Sequence, residues 1–324
     1  MPHDLFSPPP AVPNELDLLR SALDNRIPAK SDGHNLLIAT WNICAFGNLT
    51  KNWTDEADNS PKRNFRWLYF ITEIVRRFDV VAVQEVKNNL RAIRYMMKLL
   101  GPQWGFLLTD VTLGDKGNGE RLAFVFDTTR VRPSGLAAEI VIPAGDPDYL
   151  PANLFQRQFV RTPYAASFSA GGRTFILVTL HVNYGDDKSD RIDELRAIAN
   201  WISRWAENSY RFDHNLIVLG DFNIDRMGDE LYEEFIARGL TVPDSLLDQP
   251  RTIFHHRDKP ESFTFYDQIA WFTGAHEARL SLDYRGGGNF DFKHDFVRHV
   301  QHISNVGLKF RMSDHYPLWV EFGV

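Results

Sequence analysis

Ligand-type side chains stand wherever the apolar runs of this chain stop. In "NLIVLGDFNID", Leu216 to Leu219 lead straight into Gly220, Asp221, Phe222 and Asn223. Asn42 closes "LLIATWN" and Glu85 closes "VVAVQEV". His181, with Asn183 close behind, follows "FILVTL". Asp267 stands just before "QIAWF", and Asp314 and His315 just before "YPLWVEF". Each has an ordinary explanation when taken alone. Asp and Asn stabilise turns through side-chain to backbone hydrogen bonds. Glu85 would suit a helix N-terminus, a lone histidine is commonly a satisfied core residue, and an Asp-His pair on the surface contributes almost nothing. The repetition is what calls for another account, because ligands bind at strand ends in open α/β sheets.

If those ends converge, they supply carboxylates, carboxamides and imidazoles, with no thiolate cluster. A structural zinc site is therefore not expected. Oxygen donors of this kind suit Mg²⁺ or Mn²⁺, which keep several waters. A phosphodiester gains negative charge in its transition state, and a divalent ion, imidazolium and amide donors would stabilise that gain. A water nucleophile needs a base, which a His paired with an Asp can provide.

The elements that must position these residues alternate along the chain. Helices are predicted around Glu15–Leu23, in "SPKRNFRWLYFITEIVRRFD" with Ser60 as N-cap and Pro61 at the first helical position, in "LRAIRYMMKLLGP" stopped by Gly101, in "DRIDELRAIANWISRWAEN" and in "DELYEEFIARGL". Strands are predicted in "LLIATWN", "VVAVQEV", "WGFLLTD", "RLAFVFD", "YAASFSA", "TFILVTLHV", "LIVLGDFN", "YDQIAWF" and "HYPLWVEF". The links "AGGR" and "VTLGDKGNGE" read as hairpin connections. Hairpins require antiparallel neighbours, so a strictly parallel sheet fits poorly and an α/β sandwich fits well. Residues 1–33 read as a Pro-rich N-terminal arm, partly disordered, ahead of one domain over residues 34–324. Ser245–Ser262 and "RGGGNFDFKHDFVRHVQHI" read as long surface loops. His255 and His256, and likewise His294, His299 and His302, are expected on a solvated surface, since they lack usual zinc spacings.

Of 324 residues, 44% are hydrophobic, enough for a sizeable core. The formal net charge of −6 argues against a broadly basic nucleic-acid-coating surface but permits a local basic groove. Cys44 is the one cysteine, so no intramolecular disulfide can form. The first residues lack an apolar signal-peptide core, and no apolar run approaches the ~18 residues of a membrane span. A cytoplasmic location and a monomer are the expectation.

The segments "IATWNICAFG", "DVVAVQEV", "GNGERLAFVF", "TLHVNYGD", "LGDFNID", "YDQIAWF" and "SDHYPLWVEF" occur in an order that resembles the endonuclease/exonuclease/phosphatase superfamily, in particular its deoxyribonuclease I-like members. The likeness runs from about Leu36 to Phe322. It implies a four-layer α/β (α+β) sandwich: two mixed β-sheets packed face to face, helices outside, and a metal-dependent phosphodiesterase site at one edge. It implies Glu85, Asn42 and Asp314 around a divalent metal, Mg²⁺ or Mn²⁺ with Ca²⁺ as another option. It implies His181, His315, Asp221, Asn223, Asp267 and Glu120 as the catalytic group, with Glu120 partnering His181 and Asp267 orienting His315. Asn183, Arg161, Lys87 and Arg121 are the implied substrate contacts.

The chain departs from the deoxyribonuclease I-like pattern in three places. Cys44 and Lys87 stand where that pattern has arginines, and Asn118 where it has an aromatic residue. Lys lacks the bidentate fork of Arg. Phosphodiester hydrolysis is thus the firmer expectation and DNA the finer one: an endonuclease with little sequence specificity. The alternative is a phosphoesterase for a phospholipid head group, inositol phosphate or nucleotide. A non-catalytic binding module is disfavoured, because every catalytic position holds a competent residue.

Overall fold

The computed structural model describes residues 4–112, 118–141, 159–185, 188–207, 215–256, 259, 262–273 and 280–324. Among them, α1 (Ala11–Asp24) precedes β1 (Asn35–Phe46), α2 (Phe65–Val75), β2 (Val80–Lys87) and α3 (Arg91–Leu100). Next come β3 (Trp104–Leu108), β4 (Glu120–Asp127), β5 (Arg132–Glu139), β6 (Tyr164–Ala170) and β7 (Arg173–His181). Then follow α4 (Lys188–Glu207), β8 (Leu216–Ile224), α5 (Glu230–Ile236), β9 (Leu240–Thr241), β10 (Phe265–Phe272) and β11 (Asp283–Asn289). A π-helical turn, Lys293–Val297, runs into α6 (Arg298–Val300), and α7 (Asn305–Lys309) and β12 (Leu318–Gly323) end the chain.

Two six-stranded mixed sheets result, ordered β11-β12-β1-β2-β4-β3 and β5-β6-β7-β8-β10-β9. Each has one parallel pair at its centre, β1 with β2 and β7 with β8, and antiparallel pairs elsewhere. The central strands are apolar on both faces, as strands covered on both sides must be. In β1 and β2, Leu36, Ile38, Val80 and Ala82 pack into the core shared with Phe168, Ile176 and Val178 of the second sheet. Their alternate neighbours Leu37, Ala39, Trp41, Val81 and Val83 pack outward with Trp67, Phe70 and Ile71 of α2. On the other side, Leu195 and Ile198 of α4 and Phe235 of α5 close the second sheet. The four-layer sandwich is therefore as expected.

Some local expectations need correction. Within residues 4–33, α1 and its flanks bury Leu5, Val12, Leu16, Leu19, Leu23 and Ile27 against the helical layer. The α2 helix is capped by Asn64, whose side chain accepts from Trp67 N, and not by Ser60. Gly286 to Asn289 lie in edge strand β11 rather than a loop. The following Phe290, Phe292 and Phe296 are core residues. Within Ser245–Ser262, Arg251, Thr252, Ile253 and His255 are buried. The "AGGR" turn is a tight hairpin as expected, with Ala170 paired to Arg173 and both glycines at positive φ. Residues 113–117 of "VTLGDKGNGE" lie outside the described residues.

Candidate active site

The sheet topology gathers the site. Parallel strands end side by side, so the C-terminal ends of β1 and β2 carry Asn42 and Glu85, and those of β7 and β8 carry His181, Asp221 and Asn223. His181 and Asp221 are register partners. The antiparallel neighbours reach the same edge with their beginnings. Asp267, near the start of β10, is paired with Asp221, and Asp314 and His315 immediately precede β12. Asn42 Nδ2 then bridges the two sheets, donating to Glu85 Oε1 at 3.2 Å and to Asp221 Oδ2 at 2.9 Å.

The backbone is strained to hold these groups. Ala45, Glu85, Asn118 and Asn223 are the non-glycine residues with positive φ among the described residues, and all four bear on this edge. Such a conformation costs of order 1–3 kcal/mol for residues like Ala and Glu, less for Asn. Glu85 sits at a register shift between β2 and β4, and such a bulge re-aims a side chain. Its Oε2 accepts from Ala45 N at 2.8 Å. Asn223 Nδ2 donates to Val182 O at 2.6 Å, while its own amide donates to Asp221 Oδ1 at 3.0 Å.

Two imidazoles face one carboxylate oxygen. His181 Nε2 lies 3.6 Å and His315 Nε2 3.9 Å from Asp221 Oδ2. Each ring is backed by an acid on its other nitrogen. Nδ1 of His315 is 2.6 Å from Asp267 Oδ2, and Nδ1 of His181 is 3.1 Å from Glu120 Oε2. Burial opposes the imidazolium form of His315, but Asp267, Asp221 and Asp314 outweigh it and raise its pKa well above the usual value. Burial pushes the Asp267 carboxyl up to about 6 despite its contact with His315. Glu120 behaves in the opposite way. Burial would raise it, yet His181, Arg161 and Lys87 hold it down to about 2. Arg161 Nε and Lys87 Nζ each lie 2.7 Å from its oxygens.

Each expected residue is thus placed. Asn42, Glu85, Glu120, Arg161, His181 and Asn183 line one open cleft, as do Asp221, Asn223, Asp314 and His315. Asp267 lies directly behind, fully buried. Lys87 is held by Glu120, and Arg121, donating to Lys87 O at 3.5 Å, does not line the cleft. Other contributors carry no sequence signal of their own. Lys309, at the end of α7, reaches 2.7 Å from Asp314 Oδ2. Ser313 Oγ donates to Asn42 O at 2.6 Å and accepts from Cys44 N and His315 N. The buried Arg63 guanidinium donates to Cys44 O, Ala45 O, Arg311 O and Met312 O, tying the loop after β1 to the loop before β12. Tyr266 and the exposed Tyr184 flank the cleft with their rings 6.4 Å apart. Only an aromatic at a strand start hinted at Tyr266.

The donor set fits a divalent cation. Asn42 Oδ1 is buried without a hydrogen-bond partner, and Glu85 and Asp314 border the same cleft. A buried carboxamide oxygen left unpaired beside two carboxylates is a hard-cation ligand in waiting. On the other side of the cleft, the buried Arg161 Nη1 also lacks a partner, which is a donor available to an anion.

An α/β sandwich with such an edge defines a class of phosphoester hydrolases. The chain belongs to the Endonuclease/Exonuclease/phosphatase family, which it matches over residues 39–315. Members hydrolyse phosphoesters with a divalent metal. It is similar to a deoxyribonuclease of Thioalkalivibrio sp. (strain K90mix), 27% identical over 293 residues, which cover 89% of this chain and 71% of the relative. Among solved structures it is similar in fold to the mannosyl-6-phosphatase Bt3783 of Bacteroides thetaiotaomicron, with a TM-score of 0.56, 18% identity and coverage of 89% of this chain and 99% of the other. It is similar also to D. rerio TDP2 complexed with single strand DNA product, with a TM-score of 0.55, 15% identity and coverage of 90% and 99%.

Proposed function

We propose that the protein is a phosphodiesterase that hydrolyses DNA with little sequence specificity, as an endonuclease using Mg²⁺ or Mn²⁺. The observation that carries this reading is the convergence of two acid-backed imidazoles on Asp221 Oδ2, 3.6 and 3.9 Å away, beside the unpaired Asn42 Oδ1. The deoxyribonuclease relative supports DNA as the substrate. A cation held by Glu85, Asn42 and Asp314 would supply Lewis-acid stabilisation of charge on the phosphoryl oxygens.

The chain's own residues do the rest. His315, which Asp267 and its neighbours favour as the imidazolium, hydrogen-bonds the phosphate and gives its proton to the leaving oxygen as the P–O bond to it breaks. Asp221 Oδ2, between the two rings, is placed to accept the proton of an attacking water. His181, aligned by Glu120, and the Asn223 carboxamide stabilise the developing charge. Arg161 Nη1 positions a non-bridging oxygen. Fixing the reactants in this way removes orientational entropy from the barrier.

The test is cleavage of plasmid DNA in Mg²⁺ by Glu85→Ala and His315→Ala. Both are expected to lose activity while keeping the wild-type circular dichroism spectrum. Full activity in either would refute the roles assigned. One observation favours a second reading. Lys87 and Arg161 are both engaged by Glu120, and the net charge is −6, so among the described residues little free positive charge borders the cleft to track a polyanion. A phospholipid head group, inositol phosphate or nucleotide would need fewer contacts. DNA affinity that falls steeply with salt supports the nuclease, because bound phosphates release counterions. A flat salt response with turnover of a small phosphodiester supports the second reading.

A further inference from the structure

A second cluster of ligand-type side chains lies outside the cleft, in the segments expected to be solvated loops. His255 and Asp291 are buried, with 5% and 4% exposure, and the His294 side chain retains 22%. The expectation of a surface is overturned for His255 and holds only in part for His294, while His256, His299 and His302 are exposed as expected. The reason is that Phe290, Phe292 and Phe296 carry this stretch into the core. His294 Nδ1 lies 2.8 Å from Asp291 Oδ2, and His255 Nε2 lies 3.7 Å from the same oxygen. One ligand atom from each of the three residues lies within 4.8 Å of the others.

The tautomer of His255 decides what this cluster is. Its Nδ1 is 2.7 Å from Thr252 O. A carbonyl only accepts, so Nδ1 carries the proton. Nε2 is buried and has no hydrogen-bond partner. In the neutral ring it presents a lone pair towards the Asp291 carboxylate, 3.7 Å away. A cation between Nε2 and Asp291 would be held by both. An Nδ1–H donated to a backbone carbonyl is the usual outer contact that fixes the tautomer of a metal-ligating histidine. The ring is also held in place by Phe263 and Tyr316, with centroids at 5.4 and 5.6 Å.

We propose that His255 Nε2, Asp291 and His294 Nδ1 form a structural site for a transition-metal dication, zinc by preference. Two imidazoles and one carboxylate suit zinc better than Mg²⁺ or Ca²⁺, which favour all-oxygen sets. Zinc bonds of ~2.0–2.2 Å in a tetrahedron separate ligand atoms by roughly 3.3–3.5 Å, and the present spacings of 2.8 and 3.7 Å bracket that range. Water completes the tetrahedron on the solvent side of His294. On binding, His294 Nδ1 releases the proton it shares with Asp291. Among the described residues Lys293 is a nearby opposing charge, and its Nζ donates to Ile253 O at 2.8 Å.

The site would brace the catalytic edge from behind. Thr252 forms a β-bridge with His315. Ile253 N donates to Asp314 O at 2.8 Å, and Tyr316 N donates to Arg251 O at 2.7 Å. A metal joining His255 to the Asp291–His294 turn therefore fixes the segment against which Asp314 and His315 are laid.

The test uses the full chain, stripped with a chelator and titrated with zinc. Bound metal is measured by elemental analysis, thermal unfolding by calorimetry, and Co²⁺ substitution by its visible d–d bands. Wild type and Glu85→Gln are expected to bind zinc here with a rise in Tm and to show the cobalt bands. His294→Ala, at a partly exposed position, keeps the fold and loses affinity by at least the ~10–100-fold that even outer-contact changes cost. Asp291→Asn behaves in the same way. Equal zinc binding and an equal Tm rise in wild type and His294→Ala would overturn the site. So would a wild type whose bound zinc is all lost in Glu85→Gln.

Discussion

Replacing Glu120 by Gln removes one negative charge from between two cations and keeps the shape of the side chain. In the folded protein Lys87 Nζ and Arg161 Nε each lie 2.7 Å from this carboxylate and His181 Nδ1 lies 3.1 Å away. Against the burial that would raise it, these contacts bring its pKa from the usual 4.5 down to about 2. A carboxyl depressed on folding stabilises the native state above its unfolded pKa and loses that contribution as the pH falls through its folded pKa. The window here runs from about pH 4.5 down to about pH 2. The interval corresponds to ~3 kcal/mol at neutral pH, of which about 2 kcal/mol is gone by pH 3. Removing one partner of a buried ion pair independently costs ~3–5 kcal/mol, so the two routes agree in scale. Urea unfolding of both proteins at pH 7 and pH 3 checks this. Glu120→Gln is expected to be less stable by ~3 kcal/mol at pH 7, and the gap should shrink to about 1 kcal/mol at pH 3. Other carboxyls titrate in both proteins and cancel in the difference. A gap of equal size at both pH values would refute the reasoning, as would no gap at pH 7.

Two further predictions follow from the same edge. Asp267→Asn removes the acid 2.6 Å from His315 Nδ1 and is expected to lower kcat by ~10²–10⁴-fold with KM little changed. Steady-state kinetics on any cleaved phosphodiester decides it, and an unchanged kcat would remove His315 from the chemistry. Gly220→Ala would set a Cβ 2.2 Å from Leu180 O at a φ of +149°. The expected loss is ~1–3 kcal/mol of stability or more, together with much of the activity, since His181 and Asp221 are register partners beside it. Wild-type unfolding in this variant would contradict the register described.

Much of the cleft was legible because strand direction and polarity are both local properties. Asn42, Glu85, His181 and Asp221 end apolar runs, and Asp267, Asp314 and His315 precede them. The topology explains both halves of that pattern. Central parallel pairs bring strand ends to one edge, and their antiparallel neighbours bring strand beginnings there. What escaped notice depends on contacts between distant parts of the chain. Arg63 is an unremarkable basic residue in sequence, yet it is fully buried with four carbonyl partners from residues 44, 45, 311 and 312. Lys309 reads as a helix C-terminal cation, a role it could fill anywhere. His255 and His294 belong to polar stretches, and only the burial of Phe290, Phe292 and Phe296 reveals where they lie.

The strained positions connect these two kinds of residue. Glu85 at a φ of 60° and Ala45 at 46° are unfavourable conformations that no local preference would select. They persist because the surrounding contacts over-determine them. Ala45 N is satisfied by Glu85 itself, and Ala45 O and Cys44 O by Arg63. Ser313 holds Cys44 N and Asn42 O from the opposite loop. The residues without a motif thus hold the residues with one in conformations that would otherwise relax. A sequence pattern can identify the ligands of such a cleft, but their aim is set by an arginine and a serine whose roles exist only after the chain has folded.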